Sequence, residues 1–352
     1  MAEIEKFMNV SAGDIAKIMN VEVGDIAEVM TIELSTSIAW LGVRHIGAGN
    51  GGTTATLKEI DYKTSTSGGN TADWGDLIYG GYWHRGAGTG VDSTKGLIGS
   101  RVPASGSYID DYDAMTIASL GTITDGGDLQ PDATQGYGAS NGTLMFFMGG
   151  QISGALVADM DYVTIASLGG STDAGDIAGT NRKQGGFASG DTRGGVIGGT
   201  TGITSGSYNS YTTSNVDYIS FHTSNNASNF GSLYTKNTYG SACASKTRWV
   251  YKSGGDFTLA SGWTFLERMD FWTVASGGSA GNFGDITGTA WHTASMADGT
   301  RGEFWGGYNT SNSAIDSIAY ITIASEGDAT DAGNCYNGNI RMDNGGLSGA
   351  AA

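Results

Sequence analysis

The sequence predicts an all-β fold made of six like units closed into a ring, and three observations predict it. A phrase built on an aromatic or apolar residue recurs six times at a period near fifty residues. Glycine is abundant and proline almost absent, 60 against 2 in 352 residues, a composition of turn-dense β structure and not of collagen or a Pro-rich linker. The two chain ends, finally, hold complementary parts of one unit.

The recurring phrase begins at Tyr62 (YKTSTSG), Ala114 (AMTIASLG), Tyr162 (YVTIASLG), Tyr218 (YISFHTSN), Phe271 (FWTVASGG) and Tyr320 (YITIASEG), with successive spacings of 52, 48, 56, 53 and 49 residues. Self-similarity at this period marks units that cannot bury an apolar face alone, so the copies must stack or close on one another. Each copy reads as a strand opened by the aromatic residue and followed by a turn. With 39% hydrophobic residues, 8 Trp, 16 Tyr and 11 Phe, there is enough large apolar surface for a core rich in aromatic rings.

A second landmark follows each phrase: Asp73-Trp74-Gly75-Asp76-Leu77, Asp125-Gly126-Gly127-Asp128-Leu129, Asp173-Ala174-Gly175-Asp176-Ile177, Asn229-Phe230-Gly231-Ser232-Leu233, Asn282-Phe283-Gly284-Asp285-Ile286 and Asp331-Ala332-Gly333-Asn334-Cys335. The central Gly suits a turn that needs positive φ, and the flanking Asp or Asn can bond neighbouring backbone amides. Calcium is the rival reading, because carboxylates and turn carbonyls are its ligands. Ser232 and Asn334 replace the second acid, however, and each turn offers few ligands, so no metal or cofactor is assigned.

The third landmark is a basic residue just ahead of a strand that ends in Gly-Gly. Arg193 precedes Gly198-Gly199, Arg248 precedes Gly254-Gly255 and Arg301 precedes Gly306-Gly307; Lys95 leads a degenerate copy ending at Gly99, and Thr143 takes the basic place ahead of Gly149-Gly150. The sixth copy starts at Arg44, near the N-terminus, while the last unit runs out at Ala352 soon after its Gly-Asn-Cys step. Pairing an N-terminal strand with C-terminal ones would close the ring and suppress its edges. The expected architecture over residues 35–352 is therefore a six-bladed β-propeller closed by its N- and C-terminal strands. Arg44, Lys95, Arg193, Arg248 and Arg301 would form a near-complete ring, pairing with the turn carboxylates or, alternatively, facing the central channel.

Residues 1–34 follow a different period, in three eleven-residue repeats: IEKFMNVSAGD from Ile4, IAKIMNVEVGD from Ile15 and IAEVMTIELST from Ile26. Gly13, Gly24 and the Asn-Val steps argue for short helical turns capped by Asp14 and Asp25 and not for one long helix. Phe7, Ile18 and Val29, with Met8, Met19 and Met30, recur in register beside Ile15 and Ile26. So short a segment cannot hide them within itself. They are expected either to fold back on the propeller or to act as a docking and oligomerisation arm, for which Met is an adaptable contact residue.

Binding is expected in the connections between each Gly-Gly strand and the next aromatic strand, which rotation places on one face. These carry Tyr108 and Tyr112, then Tyr208 and Tyr211, Trp263 and Phe265, and Tyr308. The mixture of Tyr, Ser, Gly and Asn is that of adaptable recognition loops, and the 56-residue spacing owes its excess to one of these connections.

Charge and chemistry exclude several classes. Eighteen basic against 35 acidic residues leave a net charge of −17, which repels phosphate backbones and anionic lipid, so nucleic acid is not an expected partner. Cys243 and Cys335 are too few for a disulfide framework or a thiolate site and read as small buried residues. No signal-peptide core or run of about twenty apolar residues is present, so neither Sec export nor membrane insertion is expected. Gly277-Gly278-Ser279-Ala280-Gly281 matches a nucleophile-elbow pattern but sits in a Gly-rich turn where chance supplies it. His45, His84, His222 and His292 lack metal-ligand spacing. The chain reads as a non-enzyme.

A Gly-Gly strand followed by an aromatic strand resembles the kelch class of β-propeller, though without kelch's regularly placed Trp. The YVTIASLG and D-x-G-D-[LI] phrasing resembles more specifically the Gly-rich repeat proteins of tailed bacteriophages, especially those of marine and cyanobacterial hosts, over residues 38–352. Similar eleven-residue arrays stand ahead of variable domains in phage structural proteins. The resemblance implies a non-enzymatic virion protein: a homo-oligomeric, tail-associated adhesin that is anchored to other virion proteins by its arm and contacts a host-surface glycan or protein. A capsid decoration or head-fibre protein is the alternative, and a polysaccharide-degrading enzyme the second alternative.

Overall fold

The computed structural model describes residues 44–50, 58–78, 87–89, 95–99, 109–117, 119–121, 123–178, 182–190, 192–202, 212–221, 226–258, 262–336 and 346–349. The chain divides into two units, Met1–Ile38 and Ala39–Ala352. The arm residues Phe7, Met8, Ile15, Ile18, Met19, Ile26, Val29 and Met30 lie outside the described residues.

The second unit is a six-bladed β-propeller, all-β among the described residues. Chain order gives β1 (Arg44–Asn50), β2 (Glu59–Thr64) and β3 (Ala72–Asp76), then β4 (Ala87–Thr89), β5 (Lys95–Ile98), β6 (Asp111–Thr116) and β7 (Ile123–Asp128) of the second blade. The third blade is β8 (Tyr137–Ser140), β9 (Leu144–Ile152), β10 (Ala155–Thr164) and β11 (Thr172–Asp176); the fourth is β12 (Gly186–Ser189), β13 (Arg193–Ile197), β14 (Thr213–Ser220) and β15 (Ser228–Asn237). The fifth holds β16 (Ser241–Ala244), β17 (Arg248–Lys252), an inserted hairpin of β18 (Gly255–Thr258) and β19 (Gly262–Phe265), then β20 (Arg268–Thr273), β21 (Gly278–Ser279) and β22 (Gly281–Asp285). The sixth is β23 (Ala294–Ala297), β24 (Arg301–Trp305), β25 (Ser317–Thr322) and β26 (Thr330–Asn334), after which β27 (Gly346–Gly349) returns to the first blade.

Closure is the pairing the chain ends predicted. β27 runs antiparallel to β1 with Arg44 opposite Gly349 and Ile46 opposite Leu347, so the first blade reads β27-β1-β2-β3. The innermost strands lie side by side in a closed cycle: β27, β4, β8, β12, β16, β23 and back to β27. Because neighbouring strands alternate in direction, the connections from second to third strand and from outer strand to the next inner strand share one face. The other connections share the opposite face.

Register puts the six phrases in one place. Tyr62, Ala114, Tyr162, Tyr218, Phe271 and Tyr320 each lie two residues before a Thr or Ser that faces the first residue of the second strand: Arg44–Thr64, Lys95–Thr116, Leu144–Thr164, Arg193–Ser220, Arg248–Thr273 and Arg301–Thr322. Three expectations need correction. The aromatic residue sits within the third strand and does not open it. Leu144, not Thr143, occupies the basic place of the third blade.

The Gly-acid landmark, thirdly, is not a turn but the outer strand, bulged at its centre. Asp125, Asp173 and Asp331 do bond the amide two residues on, at 2.7 to 2.9 Å, as expected of such acids. The Gly itself is required by the next blade. A Cβ on Gly231 would stand 1.8 Å from the Gly278 oxygen, one on Gly284 2.3 Å from that of Gly327, and one on Gly333 2.4 Å from that of Gly69. Along this seam the turn of one blade also donates amides to its neighbour's outer strand, as Gly69 and Thr71 do to Ala332 and Asn334. Every such bond covers an edge that would otherwise template aggregation.

The basic ring is likewise a seam. The guanidinium groups of Arg44, Arg193, Arg248 and Arg301 lie 3.6 to 5.0 Å from the rings of Tyr62, Tyr218, Phe271 and Tyr320 on the adjacent strand. Arg44, Lys95, Arg193 and Arg248 then donate to the carbonyls of Ile117, Ala166, Val274 and Ile323, where the next blade's third strand ends. Stacking on a ring with a hydrogen bond at the edge is what the arginines share; of the expected turn carboxylates, Glu326 of the next blade stands 3.7 Å from Arg248, while Arg301 pairs with Glu303 on its own strand, and none of these residues stands on the innermost strand facing the channel.

Sequence reading missed one repeated element. Asp61, Asp113, Asp161, Asp217 and Asp270, all buried, stand one residue ahead of the phrase in five blades. Asp61 accepts from the Tyr336 amide and Asp270 from the Tyr234 amide, each on the preceding blade. The sixth blade has Ala319 instead, and the charge moves to Glu303 on the neighbouring strand.

Candidate functional site

Repetition accounts for the seams, so a site is sought where equivalent positions stop being alike. On the face carrying the predicted binding connections, the residue entering each inner turn takes a left-handed conformation in four successive blades: Gln135 (φ 61), Gln184 (φ 60), Tyr239 (φ 58) and His292 (φ 59). Backbone bonds link them blade to blade, from the Gln184 amide to the Gln135 carbonyl at 2.8 Å, Tyr239 to Gln184 at 2.5 Å and His292 to Tyr239 at 3.0 Å. A left-handed non-glycine costs on the order of 1 kcal/mol, and such residues cluster at binding sites. Together they make a collar at the ends of the inner strands.

The residue before each collar member bridges to one at or just past the end of the second strand: Thr134 to Gln151, Lys183 to Thr200, Thr238 to Gly255 and Trp291 to Tyr308. Equivalent by position, these pairs are unlike in chemistry. Blades three and four give a polar sector in which the Lys183 ammonium donates to the side-chain carbonyls of Gln135 and Gln151. Blades five and six give an aromatic sector. Trp291 lies 5.4 Å from Tyr239, 5.4 Å from Tyr308 and 5.9 Å from Phe265 between ring centroids, and His292 lies 4.1 Å from Tyr239. The Trp291 indole N–H donates to the Asn309 carbonyl at 3.1 Å, while Tyr239, Phe265, Trp291 and Tyr308 remain half-buried. The inserted hairpin β18–β19, which has no counterpart among the described residues of the other blades, supplies Phe265.

Of the predicted contact residues, the structure brings Phe265 and Tyr308 together across Trp291. Trp263 lies on β19 opposite Phe257. Tyr112 is corrected: it is wholly buried on β6, packed over Gly126 with its hydroxyl donating to the Gly169 carbonyl at 2.8 Å, and so belongs to a blade seam. Tyr108, Tyr208 and Tyr211 lie outside the described residues. Tyr239, Trp291 and His292, which complete the aromatic sector, were not among the predicted residues, although Trp83-His84 and Trp291-His292 at similar points of their units were a legible signal.

Two further clusters of ionisable groups stand away from the collar. At the closing seam Glu303 of β24 is wholly buried and accepts from the His45 Nδ1 at 2.9 Å, the Arg301 Nε at 3.0 Å and the Trp305 indole at 3.0 Å, with the Lys63 Nζ at 3.5 Å. Burial pushes the Glu303 carboxyl up, but His45 and Lys63 outweigh it and hold the group below its usual range. This network joins the first and last blades. Asp110, Asp111 and Asp128 each place a ligand atom within 4.8 Å of the others, and burial with the neighbouring acids raises the Asp111 carboxyl. Among the described residues this is the arrangement that comes nearest to the calcium reading. Cys243 and Cys335 are free and buried, as expected, with burial raising both thiols. Ser279 of the elbow-like run lies on β21, paired with Ser232 of the preceding blade, and not at a strand-to-helix turn.

No protein-family model matches the chain, and no curated protein is significantly similar to it.

Proposed function

We propose that this chain is a non-enzymatic recognition propeller, a tail-associated virion adhesin that contacts the host surface through its collar face and is held to other virion proteins, as a homo-oligomer, by its N-terminal arm. The virion assignment rests on the resemblance of the phrases and of the eleven-residue array. The binding assignment rests on one observation: among the described residues repeat equivalence breaks at the collar, where Trp291, at the position held by threonines in the third and fifth blades, gathers Tyr239, Phe265 and Tyr308. Rigid, half-exposed aromatic rings offer large contact area at low entropic cost and stack on the apolar faces of sugar rings or on peptide side chains.

Purified full-length protein should bind host cells, and Trp291→Ala and Tyr308→Ala should each reduce that binding at least tenfold with the melting temperature held within a few degrees. Undiminished binding by both variants would overturn the assignment of the face. Immunogold labelling on the head would favour a capsid decoration protein over an adhesin. Release of reducing ends from host polysaccharide would favour the enzyme.

A further inference from the structure

The polar sector of the collar contains a cation that has no counter-charge among the described residues. Lys183 is buried, donates to the neutral amide oxygens of Gln135 and Gln151, and among the described residues has no carboxylate within ion-pair distance. Its neighbour Arg182 differs in this respect, being paired with Asp217. An ammonium has three donors, and two are used. Close by, the fully buried Thr134 hydroxyl, which precedes Gln135 and bridges Gln151, has no hydrogen-bond partner among the described residues. At the same position the fifth blade has Thr238, whose hydroxyl is satisfied by the Gln184 carbonyl.

From this arrangement we propose that Lys183, Gln135, Gln151 and Thr134 form an anion subsite that takes one carboxylate of an acidic sugar. Burying an uncompensated cation is expensive, and an ion pair with one partner missing is the costly state. A ligand carboxylate would complete the pair with a charge-assisted bond to the third ammonium donor, while the two glutamine amide N–H2 groups and the threonine hydroxyl supply neutral donors. Burial lowers the Lys183 amine from 10.5 to about 8, which leaves it mostly protonated at neutral pH. One lysine charge matches one carboxylate, and the net charge of −17 disfavours a phosphate dianion. That the carboxylate belongs to a sugar rests on the reading of the collar as a glycan-binding face; the anion subsite itself stands without it.

The test is titration of the full-length protein, at pH 7 and low salt, with methyl glucuronide, methyl glucoside and inorganic phosphate, by calorimetry and ligand-observed NMR. The glucuronide should bind at least tenfold more tightly than the glucoside. Lys183→Met should erase that preference, and Gln151→Leu, at a half-buried position, should reduce it even if Lys183→Met does not fold. Equal binding of the two sugars, tighter binding of phosphate, or a preference that survives both variants would each overturn the subsite. Host-cell binding lost in Trp291→Ala with no preference for glucuronide would sink the subsite and leave the adhesin reading standing; the reverse pattern would do the opposite.

Discussion

Lys252→Met should make the propeller more stable, and by an amount that depends on pH. Lys252 is wholly buried, its amine donating to the Ala290 carbonyl, at a register position where neighbouring blades carry Met148, Ile197 and Trp305. Burial pulls its amine from 10.5 to about 7. At about 1.4 kcal/mol per pH unit, the charged form is disfavoured in the fold by up to about 5 kcal/mol. Below pH 7 the folded and unfolded chains are both protonated and the full penalty applies. Between pH 7 and 10.5 only the unfolded chain keeps the proton, so native stability rises with pH. Methionine does not titrate. Replacing a buried charge by a well-packed apolar residue is worth roughly 1–4 kcal/mol, with the lost bond to Ala290 offsetting part of the gain. Urea denaturation of both proteins at pH 6, 7, 8 and 9 should therefore show the variant ahead at pH 6, its advantage shrinking by about 1.4 kcal/mol per unit above pH 7. A difference independent of pH, or a native chain that is the more stable at pH 6, would refute the reasoning.

Two further outcomes concern the ring. Gly333→Ala, where φ is +111° and the new Cβ would stand 2.4 Å from the Gly69 oxygen, should cost about 2–4 kcal/mol, whereas Gly154→Ala, at φ +88° with open space around it, should cost only about 1 kcal/mol. Equal losses in thermal unfolding would show that seam contact is not what demands the glycine. Glu303→Leu leaves His45, Lys63 and Arg301 without their shared acceptor and should lower stability by about 3–5 kcal/mol, read from the denaturation midpoint. An unchanged midpoint would mean that the network contributes nothing to closure.

The period of the phrases was enough to predict six blades and ring closure, because each unit repeats its apolar residues in step and cannot bury them alone. The buried aspartates ahead of the phrases were equally legible, since aligning Asp61, Asp113, Asp161, Asp217 and Asp270 needs only the same period. Strand identity was harder. Asp-x-Gly-Asp reads locally as a turn, since a glycine at positive φ beside an Asx residue is turn chemistry. Only its contact with the turn of the next blade, some forty to fifty residues on, shows it to be a bulged outer strand.

For this protein, then, the order of residues determined the number of blades, the pairing of an N-terminal strand with a C-terminal one, and the acidic, aromatic and glycine-rich character of the body. Tertiary structure decided what the repeated side chains are for. It turned the arginine ring into seams, withdrew Tyr112 into the core, and gathered Tyr239, Phe265, Trp291 and Tyr308 at one sector of the collar and Lys183 with two glutamines at another. The reason is physical: periodicity records which positions are equivalent, whereas burial and partnership are set across blade interfaces by residues about fifty positions apart.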